Sequence, residues 1–323
     1  MENVLVIGGS GFVGSNFIHY LLADQAAVQV TNYDAMTYMG NWHNLADVAA
    51  DSRYQYIEGD LSEIEKLEDL ILAQHFDAIV NFATELHVAP NPAHPGAFLD
   101  TNVKGVLNVL DILRSAPDTR FVQLSTDKVY GSRERDYFTE EDRLRPNAPY
   151  AASKGAADLL IRSYVHAYGL NAVVVRSANQ YGPYQFPDHF IPKMITNNLL
   201  QIKLPVYGDG LNVRDWLYVG DAVKAIAIIM EQGVAGETYN IGGHNEITDL
   251  EVVRLITKQM KAPDRLIEHV PKPELSDQRY ALSTSKVERE LDWRPETSFK
   301  VGVQQTIKWY EQNDDWWLPL KED

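Results

Sequence analysis

The sequence predicts an α/β protein: a doubly wound parallel sheet followed by a smaller C-terminal lobe. Three observations carry that reading. Short β-branched runs alternate with amphipathic stretches through the first half of the chain, the pattern of parallel strands joined by crossover helices. The strand runs are nearly all apolar, as when helices cover both faces of a sheet. After about Arg176 the alternation loosens, and Pro183, Pro187, Pro192 and Pro205 punctuate short segments, which places a smaller lobe at the sheet's carboxyl edge.

In chain order, NVLVIG reads as a strand and leads into a helix from about Phe12 whose apolar face includes Val13, Phe17, Leu21 and Leu22. VQVTNYD and RYQYIEGD are strands by β-branched and aromatic content, and SEIEKLEDLILAQ has helical spacing. DAIVNFA is a strand, a helix follows near Thr101 to Ser115, RFVQLST is a strand, a helix starts at about Tyr150, and NAVVVRSA is a strand. Beyond it, strand-like ETYNIGG precedes an ITDLEVVRLITKQM helix in the smaller lobe, while RDWLYVGDAVKAIAIIM returns to the first. The expected division is 1–176, with a return segment at about 214–232, and 177–323.

The chain has 323 residues, 29 Lys+Arg against 45 Asp+Glu, a net charge of −16, 45% apolar residues and no cysteine. It can bury a large core without covalent staples. Disulfides, thiolate nucleophiles, cysteine zinc sites and iron–sulfur clusters are excluded. The acidic balance opposes sequence-independent nucleic-acid binding, so no nucleic-acid partner is expected. MENVLVIGGSGF carries an acid where a secretory leader has basic residues, and the richest apolar stretch, AVKAIAIIM, is short and holds Lys224. A soluble, cytoplasmic protein with no membrane partner is expected. His87 and His94 show no recognised ligand spacing and no HExxH occurs, so no metal is expected.

Gly8, Gly11 and Gly14 occupy IGGSGFVG between the first strand and its helix. Such glycines permit a tight turn, close approach of a pyrophosphate, and helix–strand contact, while the helix N-terminus offers free N–H groups to an anion. Asp34 closes the second strand 20 residues beyond Gly14, where a carboxylate accepts from a ribose 2′-hydroxyl and repels a 2′-phosphate. NAD is therefore favoured over NADP in a Rossmann-type domain. Phe12 and Val13, which open that helix, and Leu61, just past the third strand, are further cofactor-binding candidates, and Asp60, at the strand's end, serves either the adenine edge or its own turn.

Tyr150 and Lys154 lie four residues apart at the start of a helix, so both project from one face toward the sheet's carboxyl edge. A cation beside a phenol lowers its pKa and makes it a base for a sugar hydroxyl. Thr126, at the end of RFVQLST, can donate to the same substrate oxygen.

With these residues in place, the sequence resembles the extended short-chain dehydrogenase/reductases, and among them the nucleotide-sugar 4,6-dehydratases. The likeness runs through IGGSGFVGSNF, NFATELHV, TNVKGVLNVL, STDKVYG, PYAASK, YGPYQFPDHFIPKMI and YGDGLNVRDWLYVGDA. It implies an enzyme that oxidises a nucleotide hexose at C4 with bound NAD, eliminates water across C5–C6 and returns the hydride to C6. A C4 ketone acidifies the C5 proton, so a C6 hydroxyl can leave. The resemblance also implies a homodimer formed by the helices near 101–115 and 150–168, and phosphate or sugar contacts from Asn179 and Arg214. Glu85 and His87 keep the family's sugar-side positions.

Several residues depart from that pattern. Asp127 matches the acid toward the C6 hydroxyl, but Lys128 stands where a glutamate base is expected. A lysine removes the C5 proton only when neutral, or delivers one as an ammonium. Asp-Lys resembles dehydratases for CDP-glucose and the inverting enzymes for UDP-N-acetylglucosamine. Leu86, Ala89 and Pro90 alter the sugar side, and PKPELSDQRY leaves Lys272 or Arg279 to complete the diphosphate clamp. The expected substrate is a UDP- or dTDP-hexose such as UDP-N-acetylglucosamine. The rivals are a C4 oxidase that reduces a 5,6-ene sugar with C5 inversion and, from another class, a non-catalytic NAD-binding regulator.

Overall fold

Val4 to Ile7 are almost wholly buried and their side chains alternate between two cores, as the period of a strand requires. The structure is a computed structural model that describes residues 1–86, 96–272 and 278–322. Its first lobe runs β1 (Asn3–Ile7), α1 (Phe12–Asp24), β2 (Gln29–Asp34), β3 (Tyr54–Glu58), α2 (Ile64–Gln74) and β4 (Ala78–Asn81). A short helix α3 (Gly96–Leu99), a π-turn over Asp100–Gly105 and α4 (Val106–Leu113) lead to β5 (Arg120–Thr126), α5 (Pro149–Tyr168) and β6 (Ala172–Ser177).

The smaller lobe begins with β7 (Asn179–Tyr181), α6 (Phe190–Leu199), β8 (Leu204–Tyr207) and β9 (Val213–Tyr218). Then come α7 (Val219–Gln232), β10 (Thr238–Ile241), β11 (Glu246–Thr248), α8 (Asp249–Gln259) and β12 (Ile267–Val270). The chain closes with α9 (Ser285–Leu291), α10 (Phe299–Gln312), α11 (Asp314–Trp317) and α12 (Pro319–Glu322).

The central sheet has the order β10-β6-β5-β4-β1-β2-β3 and is parallel throughout. Val4 and Val6 meet α1 and α7 through Phe17, Ile18, Leu21, Ile226 and Met230. On the opposite face Leu5 and Ile7 join α2, α4 and α5 through Leu67, Ile71, Val109, Leu110 and Ile161. Each such burial contributes roughly 1.5–3 kcal/mol. A third core, rich in Tyr181, Trp216, Phe299, Tyr310 and Trp317, holds the smaller lobe.

Two segments differ from the expected division. ETYNIGG supplies β10, which pairs with β6 at the edge of the central sheet, because the buried TYNI strand finds its open partner there. RDWLYV forms β9 between β7 and β11 in a separate sheet, so the return to the first lobe begins with α7 rather than at residue 214. The helix expected near Thr101 to Ser115 is interrupted by the π-turn, which turns the Asn102 amide onto Glu85 and Ser153. Among the described residues no helix is long and apolar enough to cross a membrane, and no His, Asp and Glu cluster suits a metal.

Candidate active site

Gly8 has φ +76, and a Cβ there would fall 2.5 Å from the Ala83 nitrogen. At Gly14 a Cβ would lie 2.3 Å from the Gly8 oxygen, so helix and turn touch only because both residues lack side chains. Gly11 is the N-cap of α1 with no side-chain cap, and its hypothetical Cβ meets only the Gly8 oxygen at 3.5 Å. That leaves open backbone at a helix N-terminus, which fits a pyrophosphate. Asp34 accepts from Ser10 N and Met36 N, each at 2.8 Å. Burial raises its pKa and those two bonds oppose the rise.

This loop opens onto a cleft of ≈ 510 Å³ between the sheet's carboxyl edge and the smaller lobe. The structure gathers most expected residues in its wall: Gly8, Gly11, Phe12, Val13, Gly14, Asp34, Asp60 and Leu61 on one side, and Glu85, Thr126, Lys128, Tyr150, Asn179 and Arg214 on the other. Asp60 also serves its turn, accepting from Ser62 N at 2.8 Å. His87 lies outside the described residues.

Tyr150 enters on the first turn of α5, where Pro149 starts the helix. Its phenol is pushed up, not lowered as the Tyr–Lys spacing suggests: burial dominates, the Asp127 and Asp158 carboxylates add to it, and a hydrogen bond with Thr84 opposes it. Lys154, one turn further along α5, is only 3% exposed. Burial draws its pKa down to about 8, against the pull of Asp158.

Thr126 caps the short helix Asp127–Tyr130, and its hydroxyl donates to Asp127 Oδ1 at 3.1 Å. Thr126 itself remains in the cleft wall. Asp127 is 1% exposed and sits behind the wall. Burial lifts its pKa to about 6, with Lys128 and the Thr126 bond opposing. A carboxyl of this kind is suited to donate a proton near neutrality. Lys128 faces the cleft with Nζ 5.9 Å from the Tyr150 ring centre.

Arg279 departs from its expected place. It pairs with Glu246 at 2.6 Å and donates to the Asp136 carbonyl at 2.7 Å, away from the cleft wall, because Glu246 opens β11 beside the Val213–Arg279 bridge. Lys272 donates to Asn212 at 3.0 Å. Arg214 remains in the wall, 5.0 Å over the Tyr280 ring, where its fork suits phosphate oxygens.

Among the wall residues that escaped sequence reasoning are Thr84, Asp249 and His189. His189 caps α6, and burial followed by the charge of Lys128 lowers its pKa to about 4, so it is a neutral imidazole. Its only sequence signal is its place inside YGPYQFPDHFIP.

A family model for GDP-mannose 4,6 dehydratase matches residues 5–306. The chain belongs to the GDP-mannose 4,6 dehydratase family. It is 41% identical to a dTDP-glucose 4,6-dehydratase of Streptomyces niveus, over 98% of this chain and 95% of the relative. Among solved structures, a Bacillus anthracis dTDP-glucose 4,6-dehydratase in complex with NAD superposes with a TM-score of 0.94 at 43% identity, covering 99% and 100% of the two chains. A Streptomyces venezuelae dTDP-glucose 4,6-dehydratase with NAD bound gives 0.94 at 42% identity, covering 98% and 99%. These relatives bear out the expected enzyme class, the Rossmann-type fold and NAD as cofactor.

Proposed function

We propose that the protein dehydrates a nucleoside-diphosphate hexose across C5–C6, with dTDP-glucose the first substrate to test and UDP-N-acetylglucosamine the second. The supporting observation is one cleft that joins the glycine loop to Tyr150 and Lys128, with the protonatable Asp127 directly behind. Gly11 and the α1 N-terminus would hold the cofactor's pyrophosphate, and Asp34 its adenosine ribose. NAD, when bound, supplies a hydride acceptor and a positive ring that favours the phenolate.

Tyr150 removes the proton of the C4 hydroxyl, and Lys154 supports the phenolate and the nicotinamide ribose. Asp127 donates to the leaving C6 hydroxyl, which its buried, proton-retaining carboxyl suits. Lys128 handles the proton at C5. Arg214 and Asn179 hold the diphosphate and sugar, and Glu85 faces the sugar from the β4 loop. His87 belongs to the same proposed sugar side.

A second reading rests on Lys128. As an ammonium it delivers a proton to C5, which suits a C4 oxidase that reduces a 5,6-ene sugar with inversion. The protein is further proposed to act in the cytoplasm as a homodimer through α4 and α5. Leu99 and Leu159, each 58% exposed, lie on that side of the first lobe.

The test is incubation with dTDP-glucose, UDP-N-acetylglucosamine and the corresponding 5,6-ene sugar in deuterated buffer, read by mass spectrometry and NMR. Loss of water from a saturated hexose with one deuterium at C5 supports dehydration. Turnover of the 5,6-ene alone selects the second reading, and turnover of none contradicts both.

A further inference from the structure

Thr84 hydrogen-bonds the reactive phenol, and neither spacing nor likeness gave it a role. It faces the cleft from the loop after β4. Its Oγ1 donates to Asn102 Oδ1 at 3.1 Å. Asn102 sits in the π-turn and is held on every side: its Oδ1 also accepts from Glu85 N at 2.8 Å, and its Nδ2 donates to the Glu85 carbonyl at 3.1 Å and to Ser153 Oγ at 2.9 Å. Ser153 Oγ in turn donates to the Tyr150 carbonyl at 2.7 Å. Asn102 and Ser153 are 1% and 2% exposed. The ring of bonds ties the β4 loop to the first turn of α5, fixing Thr84 against Tyr150.

A π-turn inserts one residue into a helix and often marks a functional position. Here the insertion carries the amide that steers Thr84. A threonine hydroxyl has one proton and two acceptor sites, and it rotates to suit its surroundings. While Tyr150 is a phenol, Thr84 gives its proton to Asn102 and can accept from the phenol. Once Tyr150 is a phenolate, the same proton can turn to it, and Asn102 Oδ1 stays satisfied by Glu85 N–H. No polar atom is stranded in either state.

We propose that Thr84, oriented by Asn102, is the positioning residue that holds the Tyr150 oxygen and donates to its phenolate during C4 oxidation. This role rests on the reading of Tyr150 as the C4 base. Thr126, which bonds Asp127 and also lines the cleft, is a separate hydroxyl on the substrate's side. The bond with Thr84 already counters the effect of burial on the phenol, which is the direction a donor to the phenolate requires.

The experiment is rapid mixing of the NAD-loaded enzyme with dTDP-glucose, or with whichever hexose it turns over, following the transient rise of NADH absorbance across pH. Thr84→Ala and the isosteric Thr84→Val should each move the acidic limb of C4 oxidation up by about one pH unit. At neutral pH that is about a tenfold loss in the oxidation rate, with KM changed less than about twofold. Thr84→Ser, which keeps the hydroxyl, should restore the limb. A limb unmoved in both Thr84→Ala and Thr84→Val overturns the proposal, as does Thr84→Ser behaving like Thr84→Val. Tyr150→Phe run alongside separates the two layers: if it still forms NADH, the base assignment fails with everything resting on it. If it forms none while the Thr84 variants keep the wild-type limb, only the present inference fails.

Discussion

Lys154 illustrates how burial sets chemistry one residue at a time. Its ammonium is brought down to about 8 chiefly by desolvation, so it is charged below that pH and loses its charge above. A step that needs the cation should therefore decline as pH rises through about 8, measurable as the alkaline limb of kcat against pH. A profile level to pH 10 would contradict the assignment. The gathering of Tyr150, Asp34 and the glycines at one cleft was legible because it follows from local spacing on strand ends and helix starts. Thr84 and His189 were not, since each depends on a contact between segments far apart in the chain. The partner of Arg279 was hidden for the same reason: Glu246 reaches it only through the pairing of β11 with β9.

At the scale of the element, α5 presents Tyr150, Lys154 and Asp158 at helical spacing along one side. Asp158 is locked by Arg176 of β6 at 2.8 Å, both nearly sealed from solvent. Arg176 also donates to Tyr130 at 2.8 Å, and Tyr130 to Asn240 of β10 at 2.8 Å. Asp158→Ala would leave a buried guanidinium without its carboxylate, a loss of about 3–5 kcal/mol. Denaturant unfolding should show that loss as a lower midpoint, and a change under about 1 kcal/mol would mean the pair is dispensable. The apolar rhythm of α5 made it readable from sequence. The π-turn before α4 was not, because one inserted residue leaves the surrounding apolar pattern intact.

For the whole molecule, the alternation of strands and helices correctly implied the parallel sheet, while the edge position of β10 required knowing which strand had an unpaired side. The chain's last helices also tie the lobes together, as Trp316 donates to Asn44 at 2.9 Å. If α4 and α5 pair two copies, Leu159→Arg should halve the mass found by light scattering and leave the fold unchanged. An unaltered mass would place the interface elsewhere. The central claim is that the Tyr150 oxygen takes the C4 proton in a cleft shared with NAD. Stopped-flow absorbance of Tyr150→Phe with its bound NAD and the substrate tests it most directly. The account predicts that the cofactor stays bound and no NADH transient forms; a transient of wild-type rate and amplitude would contradict it.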